Sequence, residues 1–310
     1  MPYHYRRRGN ELFVDVAFDR AKYGPEVLID LAWVDAMPTF ITDAPHALAF
    51  YDIMLITQGV GWCWLDDHPV PVRPQTVVFT TPGQVRRWQV RNLNALCVFF
   101  PALFLDEFLQ DRDFLYRLPF FHTAGATVSF VLARDEESWF RRHTDAMHAE
   151  LQHLTPDSFH LLRARAYELL VMLSRFHARA HTGATERRTP PLVLRFRALV
   201  DRDAPSRHHV RTYAQQLGVS PNHLNTLVKS ALGCSAKRVI LDRLSLEARR
   251  MLLYTNIPAV RIADELGFSD PSYFARFFKR TVGISASRFR SEMRDRLYPR
   301  RERLRMPVDR

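Results

Sequence analysis

Residues Ala214-Gln215-Gln216-Leu217-Gly218-Val219-Ser220 recur 49 positions later as Ala263-Asp264-Glu265-Leu266-Gly267-Phe268-Ser269. Beyond this stretch the copies keep matching at an offset of 50, Leu224 with Phe274, Val228 with Phe278, Lys229 with Lys279, Gly233 with Gly283 and Ser235 with Ser285. Self-similarity at a fixed period marks a duplicated supersecondary unit. Each copy reads as a short helix that stops at a glycine and restarts. Gly218 and Gly267 stand where the chain must turn sharply, often at positive φ, which glycine adopts without steric cost. Ser220, and in the second copy Ser269 and Asp270, offer side-chain oxygens to the unpaired N–H groups of the next helix, whose first turn Pro221 and Pro271 suit. This is the helix-turn-helix pattern, in which the second helix lies in the major groove of duplex DNA. A pair of ordinary helical hairpins is the competing reading, and two copies in register argue against it.

Between the copies the apolar positions Ile240, Leu244, Ala248 and Met251/Leu252 follow the 3.6-residue period, which predicts a helix from Ser235 to Tyr254. Such a rod is roughly 30 Å long, close to the ~34 Å of one turn of B-DNA. It could set two recognition helices in successive major-groove segments on one face of a duplex. A further helix is predicted before the repeat, over Leu192 to Val200.

Charge points to the same end of the chain. Residues 190–310 hold 24 Arg and Lys against 11 Asp and Glu, a net +13, whereas residues 1–189 hold 20 against 22, a net −2, within a whole-chain charge of +11. A polyanion partner follows, because neutralising phosphates releases counterions. With 310 residues and 47% hydrophobic content, the chain can bury two ordinary cores. No apolar run reaches the ~18 residues of a spanning helix, and no apolar segment follows Met1-Pro2-Tyr3-His4-Tyr5-Arg6-Arg7-Arg8, so neither a membrane span nor a signal peptide is expected. Cys63, Cys97 and Cys234 are odd in number and widely spaced, which reads as buried free thiols in a reducing cytosol.

The polar stretch Thr182 to Pro191, with Gly183 and two prolines, supports neither helix nor strand and marks a linker. Before it, short β-rich runs alternate with turn residues: Phe50 to Thr57, Gly61 to Leu65, Val70 to Arg73, Thr76 to Thr80, Arg86 to Val90 and Ala95 to Phe100. That spacing predicts a small antiparallel barrel or sandwich. Two helices follow, over Glu136 to Leu154 and Ser158 to His181. The second carries the stripe Phe159, Leu162, Ala166, Leu169, Leu173 and Phe176, which suits either packing on the barrel or a homodimer contact.

The C-terminal residues resemble the AraC/XylS transcription regulators over nearly the whole of that domain. The likeness rests on Leu217-Gly218-Val219-Ser220, His223-Leu224, Lys229, Gly233, Arg243-Leu244, Ala248, Ile262-Ala263-Asp264-Glu265-Leu266-Gly267-Phe268, Ser272-Tyr273-Phe274, Phe277-Phe278-Lys279-Arg280, Gly283 and Phe289-Arg290. A looser likeness, through Phe50-Tyr51-Asp52-Ile53, Thr57-Gln58-Gly59-Val60-Gly61 and Thr81-Pro82-Gly83-Gln84-Val85, is to the cupin-type sensor domain that many members carry. The resemblance implies a two-domain α+β protein: a cupin-like antiparallel β-barrel with a helix pair over residues 1–181, a linker over 182–191, an all-α domain with two helix-turn-helix motifs joined by a long helix over 192–293, and a basic tail over 294–310. It implies a cytoplasmic, sequence-specific DNA-binding transcription factor that binds double-stranded DNA as a homodimer and senses a small-molecule effector in the barrel; activator is the expected class, and the residues leave activator versus repressor open. Control by a protein partner, or DNA binding without a ligand, stays open as an alternative.

Carried over by position, the base-reading residues are Asn222, Asn225, Thr226, Pro271, Ser272 and Arg276. Ser220, Lys229, Lys279 and Arg280 lie towards the DNA backbone. Asn can pair bidentately with adenine and Arg with guanine, whereas Pro271 offers only apolar contact. His223 and Tyr273 are assigned to packing and backbone. The candidate effector pocket comprises Trp62, Trp64, Arg73, Phe79, Arg86 and Trp88, since alternate strand residues of a closed barrel point inward and an arginine could receive a carboxylate.

A cupin metalloenzyme is the rival reading. It needs two or three His and a carboxylate converging inside the barrel. The strands contain no His-x-His, and Arg86-Arg87 follow the Pro82 to Val85 turn where related sensors often have His. His177 and His181 read as surface residues, and His143, His148 and His153 fall on different helix faces. No catalytic residue, metal or cofactor is therefore expected.

Overall fold

The computed structural model describes residues 3–8, 11–24, 26–34, 44–101, 103–106, 114–121, 128–181 and 189–297. The chain divides into two compact units, the first formed by most of the residues up to Arg187 and the second by Arg188 onward. The predicted linker lies largely outside the described residues. So does the basic tail beyond Leu297.

Among the described residues the first unit contains nine strands: β1 (Tyr3–Arg8), β2 (Glu11–Val16), β3 (Asp30–Trp33), β4 (His46–Leu48), β5 (Tyr51–Leu65), β6 (His68–Val72), β7 (Thr76–Thr80), β8 (Val85–Phe100) and β9 (Ser129–Val131). They form one sheet in the order β1-β2-β4-β8-β5-β7-β9, with β3 also on β8 and β6 also on β5. This corrects the expected antiparallel barrel in two respects. Among the described residues the sheet keeps two ends, β1 and β9, and β2 pairs with β4 in parallel.

The runs read as separate strands on either side of Gly59 are one strand of 15 residues, β5, paired along its length with the 16-residue β8. Register shifts between Ile56 and Val60 bend this ladder rather than end it. Extra residues at a bulge increase local twist, and glycine permits the close approach. A Cβ on Gly59 would sit 2.8 Å from Val90 Cγ1, and one on Gly61 would collide with the Gln89 carbonyl oxygen.

Successive side chains of a strand point to opposite faces, and here both faces are covered. On one face Ile53, Leu55, Val77, Phe79, Leu96, Val98 and Phe100 meet two helices, α3 (Arg134–Gln152) and α4 (Ser158–Ala180), and the short segments α1 (Leu103–Asp106), α2 (Phe114–Arg117) and Pro119–Phe121. The stripe Leu162, Ala166, Leu169, Leu173 and Phe176 is buried in this core, with Phe159 partly so. It therefore packs on its own unit and is not free for a second chain. On the other face Met54, Ile56, Cys63, Leu65, Val70, Val72, Val78, Trp88, Cys97 and Phe99 form a separate core.

The second unit consists of helices α5 (Pro191–Asp203), α6 (Val210–Gln216), α7 (Pro221–Leu232), α8 (Ala236–Tyr254), α9 (Ala259–Glu265), α10 (Pro271–Val282) and α11 (Ala286–Leu297). Gly218 and Gly267 turn the chain at φ of 68° and 71°. The Ser220 hydroxyl accepts His223 N–H at 3.1 Å, and Asp270, rather than Ser269, accepts Ser272 N–H at 2.8 Å. Helix α8 packs against each of the six other described helices of the unit, its buried Ile240, Leu244, Ala248 and Leu252 forming the axis. Leu224 and Val228 of α7 and Phe274, Phe277 and Phe278 of α10 occupy corresponding buried places in the two repeats.

Candidate nucleic-acid interface and interior polar cluster

Burying one stripe of α7 and α10 leaves the opposite stripe to solvent. On α7, Asn222, Thr226 and Lys229 are exposed at spacings of four and three, on one helix face. On α10, Ser272, Arg276, Lys279 and Arg280 are exposed, with Pro271 half-buried. Neither helix contains an Asp or Glu, so the side chains add no negative charge to the outward face. Arg276 extends into solvent, 71% exposed, with its guanidinium 3.9 Å from Asp270. Ser220 keeps its oxygen on the helix cap while remaining exposed.

Asn225 stands apart from this face. It is half-buried, and its Oδ1 accepts the N–H of Ala236 at 3.0 Å. Position in the repeat could not reveal this partner, which lies eleven residues on. His223 and Tyr273, assigned to packing and backbone, are both exposed, and the Tyr273 ring lies 5.9 Å from that of Phe268.

In the first unit the six pocket residues read from the sequence do not converge. Trp62 is 49% exposed, Arg73 is exposed, and Phe79 lies on the helix-covered face, stacked on Phe120 at 4.0 Å and Phe130 at 5.8 Å. Trp64 is half-buried and donates Nε1–H to Gln89 at 3.0 Å. Only Arg86 and Trp88, of the six, belong to the face carrying the second core. They are neighbours there, with the guanidinium carbon 5.9 Å from the Trp88 ring.

That face holds a polar cluster which the sequence reading missed. Asp52 lies directly across from Thr80 of β7 and from Phe99 of β8, so all three point to one side. Arg86 pairs through Nη1 with Asp52 Oδ2 and donates Nε–H to His46 Nε2 at 2.6 Å. His46 Nδ1 is 3.0 Å from the Ala44 carbonyl, so the neutral ring carries its proton on Nδ1. Burial, then the Arg86 charge, holds His46 down at about 3, against the pull of the Ala44 carbonyl. Burial pushes Asp52 up, and the Arg86 guanidinium opposes it. The other Asp52 oxygen and the Thr80 hydroxyl are buried without a hydrogen-bond partner among the described residues. Unpaired buried acceptors cost free energy, so this spot favours an incoming hydrogen-bond donor. The Cys63 and Cys97 thiols share the face, and burial pushes both well up, so they remain protonated.

Among the described residues no three or more His, Cys, Asp or Glu gather as metal ligands. His177, read as a surface residue, is buried beside Phe120 and Phe130, and His181 Nδ1 lies 2.9 Å from the His177 carbonyl. No helix among the described residues is long and apolar enough to cross a membrane.

Two family signatures match, "AraC-like ligand binding domain" over residues 30–170 and "Helix-turn-helix domain" over residues 213–292. The arabinose operon regulatory protein of Salmonella typhimurium is 31% identical over 264 residues, 81% of this chain and 87% of that protein. Its Escherichia coli counterpart is 24% identical over 263 residues, 81% and 84% of the two chains. A solved structure, the C-terminal domain of AraT, a response regulator from Geobacillus stearothermophilus, superposes with a TM-score of 0.33 and 29% identity over 34% of this chain and 88% of that one. A ligand-binding and a helix-turn-helix signature in one chain, with 31% identity across most of a known regulator, identify it as a member of the AraC family of DNA-binding transcription regulators.

Proposed function

We propose that both helix-turn-helix units contact the duplex, α7 and α10 entering successive major-groove segments on one DNA face. The observation that carries this reading is the pair of matching outward stripes, each free of acid and each ending in Lys229 or in Lys279 and Arg280. Asn222, Thr226, Ser272 and Arg276 would read base edges, with Pro271 giving apolar contact. Ser220, Lys229, Lys279 and Arg280 would bind phosphates. Asn225 Oδ1 already accepts Ala236 N–H, so its amide N–H groups are the part left to offer a base most readily. The test is selection of sites from randomised duplexes by the full chain. Two blocks of base preference about one helical turn apart support the reading, and a single block refutes it.

The same proposal assigns residues 1–181 to effector sensing and dimerisation, 182–191 to the linker, 192–293 to DNA binding and 294–310 to a basic tail, in a cytoplasmic homodimer. With the Leu162 to Leu173 stripe buried, dimerisation would use the outward side of α4, where Leu161 and Tyr167 are exposed. The effector would meet Asp52, Thr80, Arg86 and Trp88 and present a hydroxyl or N–H to the unpaired Asp52 oxygen. Thermal unfolding of the full chain against a metabolite panel tests this, since a ligand selective for the native state raises the midpoint. A hit that shifts wild type and Asp52→Asn equally would place the effector elsewhere.

A further inference from the structure

We propose that the loop from Pro205 to His208 and the turn at Gly267 form a clamp that sets the distance between α7 and α10 on DNA, with His208 as its positioning residue. The proposal rests on the reading that both helix-turn-helix units contact the duplex.

The loop is tied firmly to the first repeat. The Tyr213 hydroxyl, on the fully buried Tyr213 of α6, donates to the Arg207 carbonyl at 2.8 Å. The Lys237 ammonium, from the first turn of α8, donates to the His208 carbonyl at 2.7 Å. Across the loop stands the turn of the second repeat. A Cβ added to Gly267 would lie 2.9 Å from the Pro205 carbonyl oxygen and 3.5 Å from His208 Nε2, so the missing side chain is what admits the loop. The His208 ring lies 5.1 Å from that of Phe268, which is itself 5.1 Å from Phe277 and 5.4 Å from Phe274 in the buried stripe of α10. Displacing the His208 ring therefore presses through packed rings on the helix that faces DNA, and close-packed rings transmit such a push.

The first repeat supplies a control. Gly218 has nearly the same backbone, φ 68° against 71°, yet nothing lies within 4 Å of its added Cβ. Alanine at either position carries the same left-handed strain. Only at Gly267 does it also meet the loop.

The experiment uses the full chain and duplex libraries in which two randomised blocks are separated by spacers of varied length. Wild type is expected to prefer one spacing. In His208→Ala and Gly267→Ala that preference should fall by about tenfold, equivalent to ~1.4 kcal/mol, while the bases chosen within each block stay the same. Gly218→Ala should keep the wild-type spacing preference, and His208→Phe, which retains a flat ring against Phe268, should restore it. Loss of affinity at every spacing alike, or an unchanged preference in a folded His208→Ala, overturns the clamp. Should Gly267→Ala fail to fold, Lys237→Met carries the same expectation. A wild-type selection with only one block overturns the two-unit reading and the clamp with it, whereas two blocks with an unmoved spacing overturn the clamp alone.

Discussion

Asn225 Oδ1 accepts the backbone N–H of Ala236 at 3.0 Å, so a residue in the middle of α7 completes the N-terminal cap of α8. Ser235 caps the same end by accepting Arg238 N–H at 3.2 Å. Two of the orphan donors at that helix start are thereby satisfied from different helices. Removing Asn225 should then act on stability: Asn225→Ala is expected to cost about 1 kcal/mol, read as a shift of the urea midpoint. Asn225→Asp, which keeps the acceptor, should recover it. An Asn225→Ala chain of wild-type stability but altered base preference would restore this residue to base reading.

Arg276 and Lys279 both lie exposed on α10 but should fail differently. Loss of a bidentate base contact in Arg276→Ala should remove ~1–3 kcal/mol of discrimination at one base pair. Lys279→Ala should weaken all sequences alike and flatten the dependence of log affinity on log salt by about 0.9. Site selection with each variant, followed by salt titration on the chosen duplex, separates the two outcomes.

His46 gives the first unit a pH dependence of known sign. Its folded value of about 3 lies below the ordinary 6.5, chiefly through burial and then through Arg86. The unfolded chain takes up the proton first, so this stability is fully present above pH 6.5 and is lost as pH falls towards about 3. The slope within that window should approach ~1.4 kcal/mol per pH unit. His46→Gln, which can still accept from Arg86 Nε, should remove this component. Asp52, pushed up by burial, contributes in the opposite sense and is present in both proteins. Urea midpoints at several pH values for the pair provide the check, and parallel curves would contradict the assignment.

Gly61→Ala should destabilise the first unit by at least about 1–3 kcal/mol, because its Cβ would meet backbone atoms of Gln89 and Val90 that cannot swing aside. Gly24→Ala is the comparison: φ there is +91°, yet nothing lies within 4 Å of its added Cβ. Circular-dichroism melts of both variants should show Gly61→Ala lower.

The second unit was legible because its signals are local. Gly218 and Gly267 at left-handed turns, Ser220 and Asp270 on the helix caps, and Pro221 and Pro271 at first helical positions each act within a few residues of themselves. The duplication repeats these signals, so helix starts, stops and outward faces could be read from residue order alone. The same logic failed for Asn225, whose partner belongs to another helix.

In the first unit, residue order determined that the chain forms strands, since β-branched and aromatic runs between turn residues allow little else. It could not determine which side of the sheet each residue serves. Both faces are apolar and buried, so the alternation that tells inside from outside on a half-exposed sheet carries no label here: Phe79 went to the helix-covered core and Trp88 to the other. Nor could it show that Gly59 bends one strand instead of separating two, because that depends on the backbone of β8 passing against it. The polar cluster is the extreme case. Arg86 reaches Asp52 across 34 positions and His46 across 40, and those partners meet only because β4, β8 and β5 lie side by side in the sheet. Local chemistry writes helices and their caps into the sequence, whereas the company kept by a buried charge is decided by which strands the tertiary fold makes neighbours.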